Sequence, residues 1–537
     1  MRKTRKVKKL LALVLAVVTC TTMLAACGGK QSDGKGDNGG TNNQGSNTDG
    51  GKEFSYLQFS YMRPVWGEAT YKSDGAYEQA LCEAANVDID VQITPVADYD
   101  SKVVLMAGAG PNTMPDVMWA PGPSEDVWNE MEEQGAFVAI EDYLEKYPAV
   151  KEAIPDSIWE DLRAEDGHIY FVPNLVSDDT TMMIFYRKDW FDELGIKEPT
   201  TIAELEDALE KIKKGKPDVI PLTQGNSGLQ WAFRDVATCF GGVVSGWTPQ
   251  ADGKIVPMEV SKGYQDFVFW LQDMSKRGLL DAEAGLNGNL AFGEVKFRTG
   301  KAAVISNHLG SYLEAVVALK ANDPKAEVGI MSPLTGPTGI QGGTRRVYPV
   351  DRGFYFNGKL DGEKVDRIFQ FLEWTLTDGS DLAYWGIEGK TYKVLEDGTK
   401  VKIPDAERED EYRTSQMEPL QFIVKPENNS YIASAKPEFE QAGYGDLYDY
   451  LVKKNAEYRK NEFYDYKSPY IVSPTYLDEG AVIGEAYLYP VTGSAILDKK
   501  ITRAKYEDAV DTWLAMGGQK IIDETNKLQG DVSKPNY

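Results

Sequence analysis

A mixed or mainly parallel α/β fold in two lobes is what this sequence predicts, on three observations. Short β-type runs alternate with helical ones from residue 54 onward, a βαβαβ rhythm. Val87 to Pro95 alternates apolar and polar residues with the period of a half-buried strand. Of 537 residues, the roughly 485 that follow residue 52 suffice for two large lobes. Ligands bind such sheets beyond the carboxyl ends of the strands, so the loops after strands are the first place to look for a site.

The elements follow in order. Phe54 to Phe59 reads as a strand, Gly75 to Asn86 as a helix and Val87 to Pro95 as the second strand. Tyr99 to Ala107 is a helix closed by Gly108-Ala-Gly-Pro, and Pro115 to Ala120 is a short buried strand. The loops Met62 to Trp66 and Trp119 to Pro123 thereby become candidate ligand contacts. Asp166-Gly167 turns into a strand, His168 to Pro173, and Met182 to Tyr186 is another, followed by a short helix, Lys188 to Gly195. Thr201 precedes a helical run with Glu204 three residues on, the spacing of a capping box. A second cycle runs through the helix Gln265 to Arg277, then Phe292 to Gly300, then the strand Ala302 to Ser306. The region from Ile403 is rich in Tyr, Glu and Lys and ends in a helix, Tyr506 to Met516, before Gly517-Gly518. No repeat of solenoid period occurs.

The N-terminus fixes the compartment expected. Arg2, Lys3, Arg5, Lys6, Lys8 and Lys9 precede an apolar run from Leu10 to Thr19. That run is half the roughly 20 residues a spanning helix needs, so it reads as a secretory signal. It ends in Leu24-Ala-Ala-Cys27-Gly28, which resembles the bacterial lipobox; the resemblance implies that the Cys27 thiol is lipidated and becomes the first mature residue. From there to Lys52 the chain holds Gly, Asn, Ser, Asp, Gln, Thr and Lys, with no aromatic or branched apolar residue, the composition of a flexible tether. An outer-face, lipid-anchored protein follows, with the lipid as its only membrane contact.

Composition narrows the function. A net charge of −25 argues against nucleic-acid binding, which rests on Lys and Arg neutralising phosphates, and leaves room for a basic patch inside a cleft. Cys20 leaves with the signal, so Cys82 and Cys239 remain, read as small buried residues that nothing requires to pair. The two histidines, His168 and His308, stand in no zinc-like cluster, and no cofactor or metal is expected.

The segment Tyr186-Arg-Lys-Asp-Trp-Phe-Asp-Glu-Leu-Gly-Ile-Lys-Glu-Pro-Thr-Thr resembles the signature of the extracellular solute-binding proteins of family 1, the carbohydrate-binding components of ABC importers. Pro115-Asp-Val117, Gly167-His-Ile-Tyr-Phe-Val-Pro173, Phe297-Arg-Thr-Gly-Lys-Ala-Ala303, Trp385-Gly-Ile-Glu-Gly389 and Trp513-Leu-Ala-Met-Gly-Gly518 resemble other family segments in the family's order, the last two its long Firmicutes branch. The resemblance implies a two-lobed periplasmic-binding-protein-like fold of the maltose-binding-protein type, closing on its ligand by an inter-lobe hinge. The expected division is a signal at 1–26, a tether at 27–52, lobe 1 at 53–180, lobe 2 at 181–330 and a return to lobe 1 at 331–385. Residues 386–537 are expected mainly in lobe 2 and the C-terminal helices. Some relatives carry a calcium loop where this chain reads Lys211-Ile-Lys-Lys-Gly-Lys-Pro-Asp-Val-Ile-Pro-Leu-Thr223; Asp218 alone cannot supply the oxygen ligands calcium needs, and no calcium is expected.

An oligosaccharide is the ligand the resemblance implies, with the transmembrane subunits of an ABC permease as partners and a monomer as the state. Aromatic rings cover the flat C–H faces of sugars, and polar side chains meet the hydroxyls. Among eleven tryptophans and 29 tyrosines most are core. By position, Trp66 in Arg63-Pro-Val-Trp-Gly, Trp119, Trp231 and Trp385 stand in or after loops and are candidate cleft residues, whereas Trp190, Trp270, Trp374 and Trp513 fall at helical core spacing. Tyr170 and Asn174 bracket the approach to the lobe crossing, and Asn307 and His308 end a second-lobe strand. Arg345, Arg346, Asp351 and Arg352 lie in a stretch punctuated by Gly and Pro, and arginines near a cleft in an acidic protein point to a carboxylated sugar such as a uronate. Arg345 fits surface pairing at least as well. The candidate site is therefore Arg63, Trp66, Trp119, Tyr170, Asn174, Trp231, Asn307, His308, Arg346, Asp351, Arg352 and Trp385. No nucleophile elbow, metal motif or phosphate loop marks an enzyme, although paired carboxylates among 83 acidic residues decide nothing. The alternatives are the same fold binding a peptide or another solute or presenting ligand to a sensor kinase, and a secreted glycoside hydrolase or lyase.

Overall fold

Strand β1 (Leu57–Val65) runs parallel to β2 (Val87–Pro95) over nine residue pairs and parallel to β3 (Val117–Ala120) on its other side. This is a computed structural model. It describes residues 54–65, 71–122, 126–164, 166–175, 182–225, 232–243, 246–284, 291–346, 350–423, 430–464, 473–483, 488, 491 and 494–529. The expected signal, the expected lipidation site Cys27 and the expected tether lie outside the described residues, as do Trp66 and Trp231.

The remaining strands are β4 (Phe171–Leu175), β5 (Met182–Arg187), β6 (Ile220–Thr223), β7 (Trp247–Pro249), β8 (Ile255–Pro257), β9 (Ala302–His308), β10 (Val328–Ile330), β11 (Thr344–Arg346), β12 (Val350–Phe356), β13 (Tyr392–Val394), β14 (Lys400–Lys402) and β15 (Glu462–Tyr464). Two sheets organise the protein, one in each lobe: β2-β1-β3-β12-β4 and β10-β5-β9-β6. Each has one reversed strand. β12 is antiparallel to β3 and β4, and β5 is antiparallel to β9 and β10. The reason is the route of the chain. It leaves the carboxyl end of β4, passes through 176–181 and enters the second sheet from the end where β6 and β9 finish, so β5 must run against them. It returns through 347–349 and β12 is reversed in the first sheet for the same reason. A third passage, 424–429, leads from Ile423 to the helix Tyr431–Gln441.

β5 is buried at every position, as a strand covered on both faces must be. Ile184 and Tyr186 point into one core with Leu222 and Val304; Met183 and Phe185 point into another with Ile305 and Leu309. The first sheet's core joins Phe59, Met118, Phe171 and Tyr355. It also takes in Met417, Leu420, Phe422 and Ile423, so the stretch up to residue 423, within the span expected mainly in lobe 2, packs on the first lobe.

Local chemistry sets several boundaries. Thr201 Oγ1 accepts from the Glu204 amide at 3.1 Å, as the capping-box spacing requires, but the Glu204 carboxylate reaches back to the Thr200 amide, one residue earlier, at 2.8 Å. In the segment beginning at Tyr186, the guanidinium of Arg187 is gripped twice by Asp189 and lies 3.8 Å from the centre of the Trp190 ring. That clasp turns β5 into the helix Lys188–Glu193. The strand placed at His168 begins only at Phe171, because residues 166–168 are held in a turn by Asp166 Oδ1 accepting from the His168 amide. The helix expected to end at Met516 gives way after Trp513 to a wide turn in which Gly517 has φ 136°, a value only glycine adopts readily. A further helix, Gln519–Gln529, then buries Ile521 and Ile522 against Trp513. Trp270, Trp374 and Trp513 are core residues, and Trp190 packs against the core at its edge. Cys82 and Cys239 are both free thiols, one in each lobe; Cys239 is buried as expected, whereas Cys82 is only half-buried.

Candidate functional site

The candidate site lies where the carboxyl ends of both sheets adjoin the segments that link the lobes. In the first lobe, Arg352 on β12 stands opposite Asn174 on β4, with Val350 opposite Leu175 beside the crossing and a register shift between the two pairs. Asn174 and Arg352 are both half-exposed there, so a carbonyl, an amide and a guanidinium lie within one patch. Arg352 is also close enough to act on the phenol of Tyr61, which burial pushes up to about 12 against the pull of Arg63 and Arg352. Trp119, on β3, is partly buried, its ring edge-on to Tyr99 at 5.8 Å, and its carbonyl accepts from the Tyr99 hydroxyl at 2.5 Å.

Arg63 is placed at the end of β1, but its donors are occupied. Only 5% exposed, it gives Nη2 to Glu418 Oε1 at 2.8 Å, Nη1 to the Glu418 carbonyl at 2.9 Å and Nε to the Pro64 carbonyl at 3.1 Å. It pins the end of β1 to the segment that precedes the third crossing.

In the second lobe, β9 delivers Asn307 and His308 to the same edge, opposite Met183 and Met182. Asn307 is buried and its Oδ1 accepts from the His308 amide at 2.8 Å, while the His308 side chain is half-exposed. Beside them Gln224, just past β6, donates to the Ser306 carbonyl at 2.6 Å and accepts from the Gly225 amide at 2.8 Å. The buried carboxylate of Asp235 accepts from the Met182 amide, the first residue after the crossing. Sequence reasoning missed Gln224, Asp235 and Glu418. Gln224 was findable, since it directly follows the strand Ile-Pro-Leu-Thr, whereas nothing local marks Asp235 or Glu418.

Trp385 closes the helix Ser380–Trp385 and is half-buried between Tyr384 at 5.2 Å and Tyr392 at 5.9 Å. Tyr170 is not brought to this edge. It precedes β4, about 16 Å of strand from Leu175, and its hydroxyl donates to Asp166 Oδ2 at 2.5 Å. The backbone of Arg346 pairs with Tyr464 in the small sheet β11-β15, and Asp351 lies on β12; their side chains are outside the described residues, as are those of Trp66 and Trp231. Among the described residues no cluster of three or more His, Cys, Asp and Glu is placed to hold a metal ion. Where a calcium loop stands in some relatives, Lys213 Nζ donates to the Arg277 carbonyl and Lys216 Nζ pairs with Glu193 at 2.7 Å.

Comparison with known proteins agrees with this architecture. The family model for bacterial extracellular solute-binding proteins matches residues 68–380. The polygalacturonan/rhamnogalacturonan-binding protein YtcQ of Bacillus subtilis is 22% identical over 479 residues, 86% of this chain and 89% of its own. Lipoprotein LipO of the same organism is 21% identical over 84% of this chain and 88% of its own. Among solved structures, the S. pneumoniae ABC-transporter substrate binding protein FusA in complex with kestose has a TM-score of 0.67 at 19% identity, covering 88% of this chain and 98% of that one. The alginate-binding protein AlgQ2 without calcium ion has a TM-score of 0.68 at 18% identity, covering 89% of this chain and 98% of that one. These structures share the two-lobed fold. No described helix is long and apolar enough to cross a membrane.

Proposed function

The chain belongs to the bacterial extracellular solute-binding proteins, and from that premise we propose that it is the lipid-anchored binding component of an ABC importer, capturing an oligosaccharide between its lobes. The observation that carries this reading is the pairing of two polar strand ends, Asn174 with Arg352 and Asn307 with His308, at the junction where the chain crosses between sheets. Amides, a guanidinium and an imidazole suit hydroxyls, and Trp119 and Trp385 offer half-exposed rings for sugar faces. Hinge movement about the crossings would enclose the ligand.

Arg352 favours a carboxylated sugar, because guanidinium and carboxylate pair through two parallel hydrogen bonds. The binding of polygalacturonan and rhamnogalacturonan by YtcQ and of alginate by AlgQ2, as their names state, supports the same class. Fructooligosaccharides, the cargo of the FusA transporter, are the neutral alternative. The chain acts without chemical conversion of its ligand, is held outside the cell by a lipid on Cys27 after signal cleavage, and passes its ligand as a monomer to the permease. The deciding experiment is a thermal-shift screen against uronic and neutral oligosaccharides, with peptides as controls. A sugar at about 100 times its Kd adds about 2.7 kcal/mol of stability. Stabilisation by peptides alone, or turnover of a glycan, would overturn the proposal. Mass spectrometry of the membrane-extracted protein tests the anchor by the diacylglycerol on Cys27.

A further inference from the structure

The end of β5 nearest the candidate site outruns its neighbour. β10 covers Phe185, Tyr186 and Arg187 and stops at Ile330. The Met331 amide still donates to the Ile184 carbonyl at 2.9 Å, but the chain then leaves the sheet, and the Thr335 amide donates to the Thr200 carbonyl at 2.8 Å. Residues two apart in a strand turn their amides to the same side, so those of Ile184 and Met182 face the place that β10 has left. Both residues are buried, where a backbone donor needs a partner. Two side chains supply it. The Tyr458 hydroxyl accepts from the Ile184 amide at 3.5 Å, a long bond, and the Asp235 carboxylate accepts from the Met182 amide. All four residues line one small cavity.

Asp235 is itself firmly seated. It is 5% exposed, on the short helix Arg234–Ala237. Thr238 Oγ1 donates to the Asp235 carbonyl at 2.6 Å and accepts from the Gly343 amide at 3.1 Å, which ties the helix to the chain leading into β11. Gly343 allows that approach, since a Cβ there would stand 2.0 Å from the Asn461 carbonyl oxygen. A carboxylate is costly to bury, but it bonds an amide more strongly than a neutral acceptor does. From the β6 side, Gln224 holds the Ser306 carbonyl of β9. Between these two holds lies the paired end of β5 and β9, where Met182 stands opposite His308 and Met183 opposite Asn307.

We propose that Asp235 is a positioning residue: its carboxylate fixes the end of β5, and through the β5–β9 register it sets where Asn307 and His308 stand, without itself touching the ligand. The gain in affinity for an oligosaccharide rests on the reading of that edge as a ligand contact; the hold on the edge does not.

The two histidines make the test selective. His308 reports on the edge, whereas His168 stands in the first lobe, bonded to Glu141 at 2.9 Å. Without sugar, Asp235→Ala should displace the His308 imidazole resonances in NMR spectra and leave those of His168 in place. It should also speed hydrogen exchange of the Met182 amide about tenfold, the loss of one hydrogen bond. Asp235→Asn keeps an acceptor without the charge and should speed exchange about threefold, so it decides the matter if Asp235→Ala does not fold. Tyr506→Phe removes a buried bond to the Glu259 carbonyl elsewhere in the lobe and should change neither readout. Isothermal titration with an oligogalacturonide and with kestose then reads the consequence: whichever sugar the wild type binds should bind Asp235→Asn about threefold more weakly. Wild-type exchange at Met182 in both variants, an unmoved His308, or His168 moving as far as His308 would each overturn the positioning role. Unchanged sugar affinity beside a displaced His308 would overturn its consequence for binding. If the wild type binds neither sugar, the oligosaccharide reading fails, while the exchange and resonance results still judge Asp235.

Discussion

Arg63 Nη2 lies 2.8 Å from Glu418 Oε1, a bond between the end of β1 and a residue 355 positions away in sequence. The guanidinium is buried and the carboxylate is half-exposed, so the partners respond differently to mutation. Removing Glu418 leaves the Glu418 carbonyl as an acceptor but strips the buried cation of its counter-charge. Glu418→Ala is expected to cost about 2 kcal/mol of unfolding free energy, and Arg63→Ala more, through lost packing as well. Denaturant titration of both variants checks this. Unchanged stability with selectively lost sugar binding would instead return Arg63 to the role of ligand contact.

A second prediction concerns pH. The carboxyl of Glu132 is pushed up to about 7, first by burial, against the pull of the Tyr355 hydroxyl that donates to it at 2.6 Å, with the negative charge of Asp166 adding to the rise. The folded protein therefore keeps this proton at pH values where the unfolded chain, near 4.5, has lost it. The stabilising contribution is complete below the unfolded value, falls as pH rises through about 7, and is constant above. Glu132→Gln abolishes that slope. Relative to the variant, the wild type should lose about 2–3 kcal/mol between pH 4 and pH 8; parallel stability curves would contradict the burial argument.

The lysines of the 211–217 segment give a third. Lys213 and Lys216 place ammonium groups on a carbonyl and a carboxylate, and Lys216 also lies 5.2 Å from the centre of the Trp190 ring. A divalent cation there would be repelled. Chelator should move the Tm of purified protein by less than about 1 °C, whereas withdrawing a saturating ion removes several kcal/mol. Calorimetry with and without chelator, then with added calcium, decides it.

How much was legible before the structure follows from what kind of pattern each feature is. The strands β1 to β3 and the N-cap at Thr201 are local and periodic features, and local sequence states them, although the order β2-β1-β3 is not local. The two reversed strands are not local: β5 and β12 look like any buried strand, and only the direction of entry from a crossing turns them round. The same holds for the site. Asn307 and His308 could be placed by counting along a strand, but the pairing of Asn174 with Arg352 joins residues 178 apart through a register that no spacing encodes. Tyr170 illustrates the converse error: it is four residues from Asn174 in sequence and at the other end of β4, because an extended strand converts small sequence separations into large distances.

The last prediction separates sugar class from sugar binding. On the proposed reading Trp385 stacks on the sugar, and since every pyranose or furanose has C–H faces, Trp385→Ala should weaken all ligands by about tenfold, the effect of roughly 1.4 kcal/mol. On the proposed reading the Arg352 guanidinium meets the ligand, and only a carboxylate accepts two of its parallel N–H donors with full charge. Arg352→Gln keeps length and some hydrogen bonding but removes the charge, so a uronic oligosaccharide should lose about tenfold or more while a neutral one changes by less than about twofold. Isothermal titration of wild type and both variants with an oligogalacturonide and with kestose yields the comparison directly. If Arg352→Gln weakens both sugars equally, the arginine serves the fold or a common hydroxyl. If the wild type already binds kestose as tightly as the oligogalacturonide, the carboxylated-sugar assignment fails, while capture of oligosaccharide between the lobes does not.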